Sequence, residues 1–329
     1  MVNGRSGSEK ESILIVGSGK VAFSLVVCLI QAGYPITLFT KNRDIALKSI
    51  NFHLADLPMS ANKFHLSNYL KITNELSCKI DFKLVIVLTD ENLLEKRTLI
   101  KQLENKLPPN SLIAINTESI PLANLQEGCN YPDRVLGANW VEPVHTTYFL
   151  ELITNCKSNE EQINYLFNLA KTYWNKDPYI INNTLSIRAK MFAAMAREAF
   201  YLVQNGYASI EDIDRACRND AGYYLPFAGN FRYMDLMGGS AYGMVMKDLN
   251  PELSKEHKLP EFFKNILEQG GLGMENNKGF YQYDREDVDR WDTVFRMFSY
   301  QMQEIISKYP FNYKNKNIKL NGSTESDDK

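Results

Sequence analysis

The stretch ILIVGSGKVA, residues 13–22, decides the fold of this chain. It opens with four aliphatic residues, and such a short apolar run is typical of a strand buried on both faces of a sheet. Two glycines follow, and the run KVAFSLVVCLIQ after them has the apolar spacing of a helix. Gly33 suits the left-handed position that ends a helix. The stretch therefore predicts a strand, a tight turn and a helix in direct succession.

The glycines of this turn stand where many α/β proteins bind a nucleotide diphosphate. Gly17 permits the tight turn, Gly19 lets the backbone approach a pyrophosphate, and Ala22 lets the helix pack closely. The N-terminus of the helix supplies N–H donors and positive potential for the anion. We therefore predict a dinucleotide site formed by Gly17, Gly19, Lys20 and Ala22. The alternative is a tight turn that binds nothing.

Further apolar runs in the first half of the chain repeat the alternation of strand and helix. They are ITLFT (36–40), LVIVLT (84–89), SLIAIN (111–116) and PYIIN (178–182). Such alternation indicates a doubly wound parallel sheet. Ser158 and Glu161 form a capping-box pattern at the start of another helix. From about residue 184 the pattern changes to long helices.

We therefore expect an α/β fold with two domains. An N-terminal Rossmann domain with a doubly wound parallel sheet is predicted over residues 1–183, and an all-α domain over residues 184–313. Residues 314–329 are polar and without periodicity, which predicts a disordered tail. The first residues, MVNGRSGSEKE, lack the apolar core of a signal peptide and are interpreted as a loose leader.

Composition excludes several classes of function. The 329 residues carry a formal net charge of −2 with scattered Lys and Arg, so nothing favours nucleic acid as a partner. No apolar run approaches the roughly 18–20 residues that a membrane span needs. Five cysteines without a CxxC pair indicate reduced, buried thiols in a cytoplasmic protein. Without metal-ligand spacing or a nucleophile elbow, we predict neither a metal site nor a serine triad.

The end of the second predicted strand bears on the choice of dinucleotide. An NAD site usually has Asp or Glu there, which accepts hydrogen bonds from the ribose 2′-OH. Here the strand ends in Thr40, followed by Lys41 and Arg43. A hydroxyl and two cations could hold a 2′-phosphate. We therefore favour NADP(H), with NAD(H) as the alternative if these cations are ordinary solvated charges.

The remaining motifs, taken in order, resemble the L-3-hydroxyacyl-CoA dehydrogenase family and its 3-hydroxybutyryl-CoA, gulonate and carnitine dehydrogenase relatives. The resemblance covers roughly residues 11–285. It rests on TDENLLEKR (89–97), NTESIPL (116–122), GANWVEPVHTTYFLELI (137–153), GYASIEDIDRA (206–216), AGNFRYMDLMGG (228–239) and GGLGMENNKGFYQY (270–283).

This resemblance implies a Rossmann domain, a helical domain that forms a homodimer, and an active site in the cleft between the domains. It places Glu91 and Lys96 beside the nicotinamide ribose of the cofactor. It also places Asn116 and Thr117 at the start of the loop that flanks the nicotinamide. These loops follow predicted parallel strands, and open α/β sheets bind ligands at the carboxyl ends of such strands.

The chain departs from the family at the residue that transfers the proton. The family has a histidine there, and its position is occupied by Asn139, which can hydrogen-bond a carbonyl oxygen but has no titratable proton. The partner carboxylate of that histidine is matched by Glu151. Four further positions differ: Glu118 replaces a serine, Glu142 and Ala189 replace asparagines, and Glu275 replaces a lysine.

Two hypotheses address the missing proton donor. Glu118, Glu142 and Glu275 would favour a cationic ligand if they converged, or raise one another's pKa until one acts as a general acid. Otherwise they face solvent or pair with Lys and Arg. His145 is the second candidate base, and its alternative is a satisfied surface residue. Trp140 is interpreted as a core residue rather than a substrate platform.

We therefore predict an NAD(P)-dependent oxidoreductase that interconverts a hydroxyl and a carbonyl on a small acid or its CoA thioester. Its catalytic candidates are Glu151, Asn139, His145 and Glu118. A cationic or amino-bearing substrate is a subordinate hypothesis. The alternative function is a dinucleotide-binding sensor or structural protein that has lost catalysis.

Overall fold

The computed structural model describes residues 10–55, 66–309 and 311. The predicted leader at the N-terminus and the predicted tail at 314–329 lie wholly or largely outside these residues. The chain divides into two compact units after Ala194. The boundary that we placed at residue 183 stays a proposal.

The first unit is built on an eight-stranded sheet in the order β3-β2-β1-β4-β5-β6-β7-β8. All neighbouring strands are parallel except β6 and β7. The strands are β1 (Ile13–Gly17), β2 (Ile36–Phe39), β3 (Leu70–Thr73), β4 (Leu84–Leu88), β5 (Leu112–Ile115), β6 (Val135–Asn139), β7 (Glu151–Thr154) and β8 (Tyr179–Asn182). The predicted doubly wound sheet is confirmed, and β3, β6 and β7 are additions to the strands expected from the sequence.

Among the described residues, six α-helices lie wholly within this unit. They are α1 (Lys20–Gln31), α2 (Arg43–Leu54), α3 (Leu66–Tyr69), α4 (Leu93–Glu104), α5 (Leu122–Leu125) and α6 (Glu160–Tyr173). Gly33 has a φ of +78°, as expected for the residue that ends α1. The predicted capping box of α6 is wrong by one position, because the side chain of Asn159 caps the helix at Gln162 N. The Ser158 hydroxyl instead accepts from Asn155 N at 3.0 Å.

The core of this unit lies on both faces of the sheet. Ile13 and Ile15 of β1 pack on one face with the apolar residues of α1. Leu14 and Val16 pack on the other face with residues of α4 and α5. Alternate residues of one strand therefore enter two separate cores, which explains the nearly continuous apolar runs of β1, β4 and β5.

Beyond β8, the described part of the chain is mainly helical, as predicted. Its helices are α7 (Ile187–Gln204), α8 (Ile210–Asn219), α9 (Ala221–Met237), α10 (Gly239–Leu249), α11 (Glu261–Glu268) and α12 (Arg285–Lys308), and the boundary between the units falls within α7. Capping boxes begin α8 at Ser209 and α12 at Asp284. Gly229, with a φ of +67°, breaks the helical geometry of α9. Phe200, Phe263 and Phe280 form an aromatic cluster in the second unit.

Candidate functional site: a dinucleotide cleft

The turn between β1 and α1 has the geometry that its glycines predict. A Cβ on Gly17 would lie 2.7 Å from Leu88 O and 2.9 Å from the Cβ of Ala22, so only glycine fits. A Cβ on Gly19 would meet no described atom within 4 Å, so the backbone there is open to a ligand. Gly19 is also the N-cap of α1 and supplies no side-chain cap. The N–H groups at the N-terminus of this helix therefore suit a diphosphate.

This turn forms one wall of a cleft of about 650 Å³ in the first unit. The cleft is lined by the loops that follow β1, β2, β4, β5 and β6, all at the carboxyl ends of strands. The predicted site residues that line it are Gly17, Gly19, Lys20, Ala22, Thr40, Lys41, Asn116, Glu118 and Asn139. The predicted residues outside the lining are Arg43, Glu91, Lys96, His145 and Glu151.

Three residues after β2 were expected to decide between NADP(H) and NAD(H), and two of them, Thr40 and Lys41, line the cleft. Thr40 is buried, and its hydroxyl is 3.0 Å from that of Ser18 in the glycine turn. Lys41 is exposed and lines the cleft. Arg43 instead donates to Ile72 O at 3.4 Å, outside the lining. Of the two cations at this strand end, Lys41 is therefore the one that lines the cleft.

Lys96 lies at the centre of a buried network between the ends of β4 and β5. Its ammonium donates to the carbonyl and side-chain oxygens of Asn116 at 2.7 and 2.9 Å, and to Thr89 O at 3.2 Å. The Asn116 amide in turn donates to Thr89 O at 2.8 Å. Burial lowers the pKa of Lys96 below its ordinary value, and the nearby Glu91 carboxylate opposes that change. Lys96 thus holds two cleft loops together from beneath.

Glu91 supports the loop that follows β5. One carboxylate oxygen accepts from the backbone N–H groups of Glu118, Ser119 and Ile120 at 2.8 to 3.0 Å. The other lies 3.6 Å from Lys96 Nζ. Burial would raise the pKa of Glu91, but the backbone donors and Lys96 outweigh burial, so the pKa lies below its ordinary value. The resemblance places Glu91 and Lys96 beside the nicotinamide ribose, and the structure shows them fixing the loop backbone.

Asn139 lines the cleft, but its side chain is fully engaged within the protein. Its Oδ1 accepts from Thr117 N at 2.8 Å. Its amide hydrogens are donated to Thr117 O at 2.8 Å and to Glu151 Oε1 at 2.9 Å. An amide nitrogen carries two hydrogens, so none remains for a substrate oxygen. This geometry removes the expected oxygen-binding role of Asn139 and gives it a structural one.

Glu151 is completely buried beside Asn139 at the edge of the sheet. Its Oε2 accepts from Tyr179 Oη at 2.9 Å and from the backbone N–H groups of Ile187 and Arg188 at 2.9 and 3.4 Å. These N–H groups belong to the first turn of α7, which attracts negative charge. Burial, followed by the Glu151 charge, raises the pKa of Tyr179. Glu151, which matches the carboxylate partner of the family's catalytic histidine, is thus hydrogen-bonded to β6, β8 and α7.

The three additional carboxylates do not share one set of contacts. Glu118 forms an ion pair with Arg188, with 2.5 Å between Oε1 and Nη1. Glu142 accepts from the Ser24 hydroxyl of α1 and lies 3.4 Å from His53 Nε2 of α2. Glu275 is an exposed residue of the second unit. The cationic-ligand hypothesis therefore loses the support of Glu118 and Glu142, since each has a partner within the first unit.

His145 and Trp140 lie on the α1–α2 side of the sheet. The His145 ring is buried, with its centroid 4.9 Å from that of His53. His145 does not line the cleft, so its expected role as the replacement base gains no support from its position. Trp140 is buried, with its ring 6.2 Å from that of Trp174, and also contributes to the cleft wall.

Sequence reasoning missed Tyr179 and Arg188. Tyr179 pairs with Glu151 in the register of β7 and β8, and this register depends on strand β7, which was not predicted. Arg188 follows the predicted domain boundary directly, but its pairing with Glu118 joins residues 70 positions apart. One feature of the sequence could have indicated Arg188. The neighbouring Ala189 matches a family asparagine, which suggested that the start of α7 belongs to the site.

The fold and the cleft are those of a dinucleotide-binding protein. The family model for the NAD-binding domain of 3-hydroxyacyl-CoA dehydrogenase matches residues 12–184. The model for the C-terminal domain of the same enzymes matches residues 187–283. The chain belongs to the 3-hydroxyacyl-CoA dehydrogenase family. The family expected from the motifs is thereby confirmed, and with it a nicotinamide cofactor.

Individual relatives agree with this assignment. The chain is 23% identical over 287 residues to a probable 3-hydroxybutyryl-CoA dehydrogenase of Bacillus subtilis (strain 168), covering 84% of this chain and 99% of the relative. It is 26% identical over 224 residues to the fatty acid oxidation complex subunit alpha of Shewanella baltica (strain OS185). This match covers 68% of this chain and only 31% of the subunit.

Solved structures share the fold. The structure of 5-formyl-3-hydroxy-2-methylpyridine 4-carboxylic acid 5-dehydrogenase, an NAD+-dependent dismutase, superposes with a TM-score of 0.80 at 19% identity, covering 90% of this chain and 98% of that one. The (S)-3-hydroxybutyryl-CoA dehydrogenase of Ralstonia eutropha gives a TM-score of 0.63 at 20% identity, covering 84% and 99%.

In the described part of the chain, no helix combines the length and the apolar character that crossing a membrane requires. Within the same residues, no group of three or more His, Cys, Asp or Glu could hold a metal ion. All five cysteines are free, and Cys78 and Cys156 are exposed, so the expectation that the thiols are buried is wrong for these two.

Proposed function

We propose that this protein interconverts a hydroxyl and a carbonyl group on a small hydroxy or keto acid, or its CoA thioester, with a nicotinamide cofactor. The observation that carries the proposal is one cleft that runs from the open glycine turn to Asn116, Glu118 and Asn139. Gly19 fits the cofactor's diphosphate because its backbone is open where a side chain would stand, and Gly17 permits the tight turn that precedes it. When bound, the nicotinamide supplies or accepts a hydride.

In this proposal Glu118 carries the proton. It lines the cleft beside Asn116 and Asn139, whereas His145 lies outside the lining. For reduction, the carbonyl carbon gains the hydride and the carbonyl oxygen gains the carboxyl proton of Glu118, which leaves a carboxylate. For oxidation the same carboxylate takes the proton back. Glu151 and Asn139 keep the end of β6 and its neighbouring loop in place.

Steady-state turnover tests the proposal. We expect 3-hydroxybutyryl-CoA or carnitine to be oxidised with at least one of the two oxidised nicotinamide cofactors. Glu118→Gln should lower kcat by about 10²-fold or more while cofactor binding is retained, since general acid–base catalysis contributes about 10²–10⁴-fold. Cofactor binding without turnover of either substrate would count against the enzyme and favour a sensor.

We also propose a preference for NADP(H) over NAD(H). Its support is the cation of Lys41 at the cleft and the buried Thr40 where NAD sites carry a carboxylate. Calorimetry with both oxidised cofactors should give the lower Kd for NADP+, and Lys41→Ala should remove the difference. Tighter binding of NAD+ by the unaltered protein would refute the preference. The family model describes an NAD-binding domain, so the nicotinamide itself does not depend on this result.

Finally, we propose a homodimer in the cytoplasm. Large apolar side chains on α9 and α10 are exposed in the single chain, among them Tyr223, Phe231, Leu236 and Met244. Exposed apolar surface of this kind marks interaction sites. Light scattering should give twice the 37.8 kDa mass of the chain. Phe231→Glu should shift that mass toward the monomer. Free thiols at all five cysteines support a reducing compartment.

A further inference from the structure

The Glu118–Arg188 ion pair crosses the part of the sheet where Asn139 meets Glu151. Glu118 follows β5, and Arg188 lies in the first turn of α7, which follows β8. In the sheet, β6 and β7 lie between β5 and β8. The pair therefore spans the ends of β6 and β7, and the Arg188 backbone N lies 3.4 Å from Glu151 Oε2. Because Glu118 lines the cleft, the guanidinium stands at the cleft's edge.

Another carboxylate can replace Glu118 as the partner of Arg188 with little loss of stability. The side chains of Arg188 and Glu118 are 40% and 44% exposed. Ion pairs that accessible to water contribute little, because water and salt screen the attraction and both side chains lose freedom. The guanidinium has five N–H donors, and the described contacts engage one nitrogen, Nη1, with Glu118. Arg188 can therefore bind a second carboxylate, or change from one to another, at small cost.

The neighbouring polar groups are less available to a ligand. Both amide hydrogens of Asn139 are donated within the protein. The Glu151 carboxylate is buried and accepts from Asn139, Tyr179 and α7. Lys190, two residues beyond Arg188, donates to Thr184 Oγ1 at 3.0 Å. At this edge of the cleft, Arg188 is thus the cation best placed to hold an anion, and its planar donors match a carboxylate.

We propose that Arg188 binds the carboxylate of a free hydroxy or keto acid and that this carboxylate displaces Glu118 from the guanidinium. The inference rests on the proposed function and narrows the substrate to a free acid, whose carboxylate binds Arg188, rather than its CoA thioester. Displacement also releases Glu118 next to the substrate, where the proposed reaction needs it. Arg188 is then a specificity-determining residue, and Glu118 is its internal competitor.

Binding of two matched probes tests this inference. 3-Oxobutanoate and 3-oxobutanamide have nearly the same shape and differ in charge. Calorimetry would use full-length protein saturated with oxidised cofactor, so that neither probe is reduced. We expect the carboxylate to bind about two- to fivefold more tightly than the amide, which is the gain that an ion pair on an accessible guanidinium provides. Arg188→Met should abolish that preference without changing the Kd of the cofactor.

Glu118→Gln gives the decisive comparison. It removes the competitor and keeps the guanidinium, so the carboxylate probe should bind more tightly, by up to about fivefold. A purely structural ion pair would instead make both substitutions weaken binding. Arg215→Met and Glu211→Gln are the controls for net charge, because they break an exposed ion pair within α8. Neither control should change the preference.

The possible failures are distinguishable. If oxidised cofactor gives no heat with the unaltered protein, the proposed function fails first. If cofactor binds but the two probes bind equally, or neither binds, the Arg188 inference is overturned while the oxidoreductase proposal stands. Persistence of the carboxylate preference in Arg188→Met would overturn it as well.

Discussion

At the scale of single residues, the two glycines of the first turn serve different purposes. Gly17 is required by packing, because a Cβ would press on Leu88 O and on Ala22. Gly19 has open space at the same position, so its lack of a side chain benefits a ligand rather than the fold. The GxGxxA pattern predicted both positions from the sequence, since each role follows from local backbone geometry.

Gly17→Ala and Gly19→Ala should therefore separate stability from cofactor binding. Gly17→Ala should lower the free energy of unfolding by about 1–3 kcal/mol, as expected for overpacking. Gly19→Ala should leave that free energy nearly unchanged but weaken binding of the oxidised cofactor. Urea denaturation and calorimetry measure the two effects. Equal stability of the two variants would contradict the packing role of Gly17.

Asn139→Ala provides a second test at this scale. It should lower the free energy of unfolding by about 2–4 kcal/mol, because it leaves Thr117 N, Thr117 O and one Glu151 oxygen without a partner. If Asn139 instead served only the substrate, urea denaturation would show unchanged stability and kinetics would show a loss of kcat. Trp140→Phe, at the neighbouring buried position, is the control for general core disturbance.

At the scale of elements, the sequence predicted strands where hydrophobicity is continuous and missed them where it is not. β1, β4 and β5 are buried on both faces and consist almost entirely of aliphatic residues. β6 is equally buried, but its sequence VLGAN holds a glycine and an asparagine, so no apolar run marks it. Its Gly137 is dictated by the neighbouring strand, because a Cβ would lie 2.7 Å from that of Ile153.

The partners of the carboxylates could not be predicted for a related reason. Glu118, Glu142 and Glu151 were identified by matching motifs, but, apart from Asn139 beside Glu151, their partners lie 28 to 118 positions away in the chain. Spacing within one motif contains no information about such pairs. The pairing of β6 with β7 and the start of α7 decide the partners of Glu118 and Glu151, and both features belong to the tertiary structure.

The stability that Glu91 provides by binding the loop at 118–120 should depend on pH. The folded-state pKa of Glu91 lies below the ordinary value of 4.5, so its carboxylate stabilises the fold above that value. That stabilisation is lost as the pH falls from about 4.5 through the lower folded-state pKa. Glu91→Gln should therefore be less stable than the parent at pH 7, and the difference should shrink toward pH 3. Urea denaturation across this range measures it, and a constant difference would contradict it.

At the scale of the whole molecule, the first unit includes the beginning of α7. Glu151 is buried in that unit and accepts from Ile187 and Arg188, which lie beyond the boundary predicted at residue 183. The division between the units after Ala194 keeps these contacts within the first unit. A helix start can thus belong to one unit and its continuation to the next.

Two fragments test this division. Residues 1–194 should be more stable than residues 1–183, because the shorter fragment leaves a Glu151 oxygen without its helical donors. Loss of a charge-assisted hydrogen bond of about 1.5–3 kcal/mol should lower the Tm by several degrees, roughly 2–4 °C per kcal/mol for this size. The Glu151→Gln variant of each fragment is the control and should narrow the gap. Identical Tm values would place the boundary at residue 183.

The clamp of Glu91 on three consecutive amides has a consequence for diversification. The backbone conformation of residues 118–120 is stabilised through main-chain N–H groups. It therefore does not depend on which side chains those residues carry. Mutation can exchange the groups at 118 and 119 without rebuilding the scaffold beneath them. Substitutions at this loop can therefore change the functional groups at the cleft one at a time. Most members of a library randomised at positions 118 and 119 should remain folded.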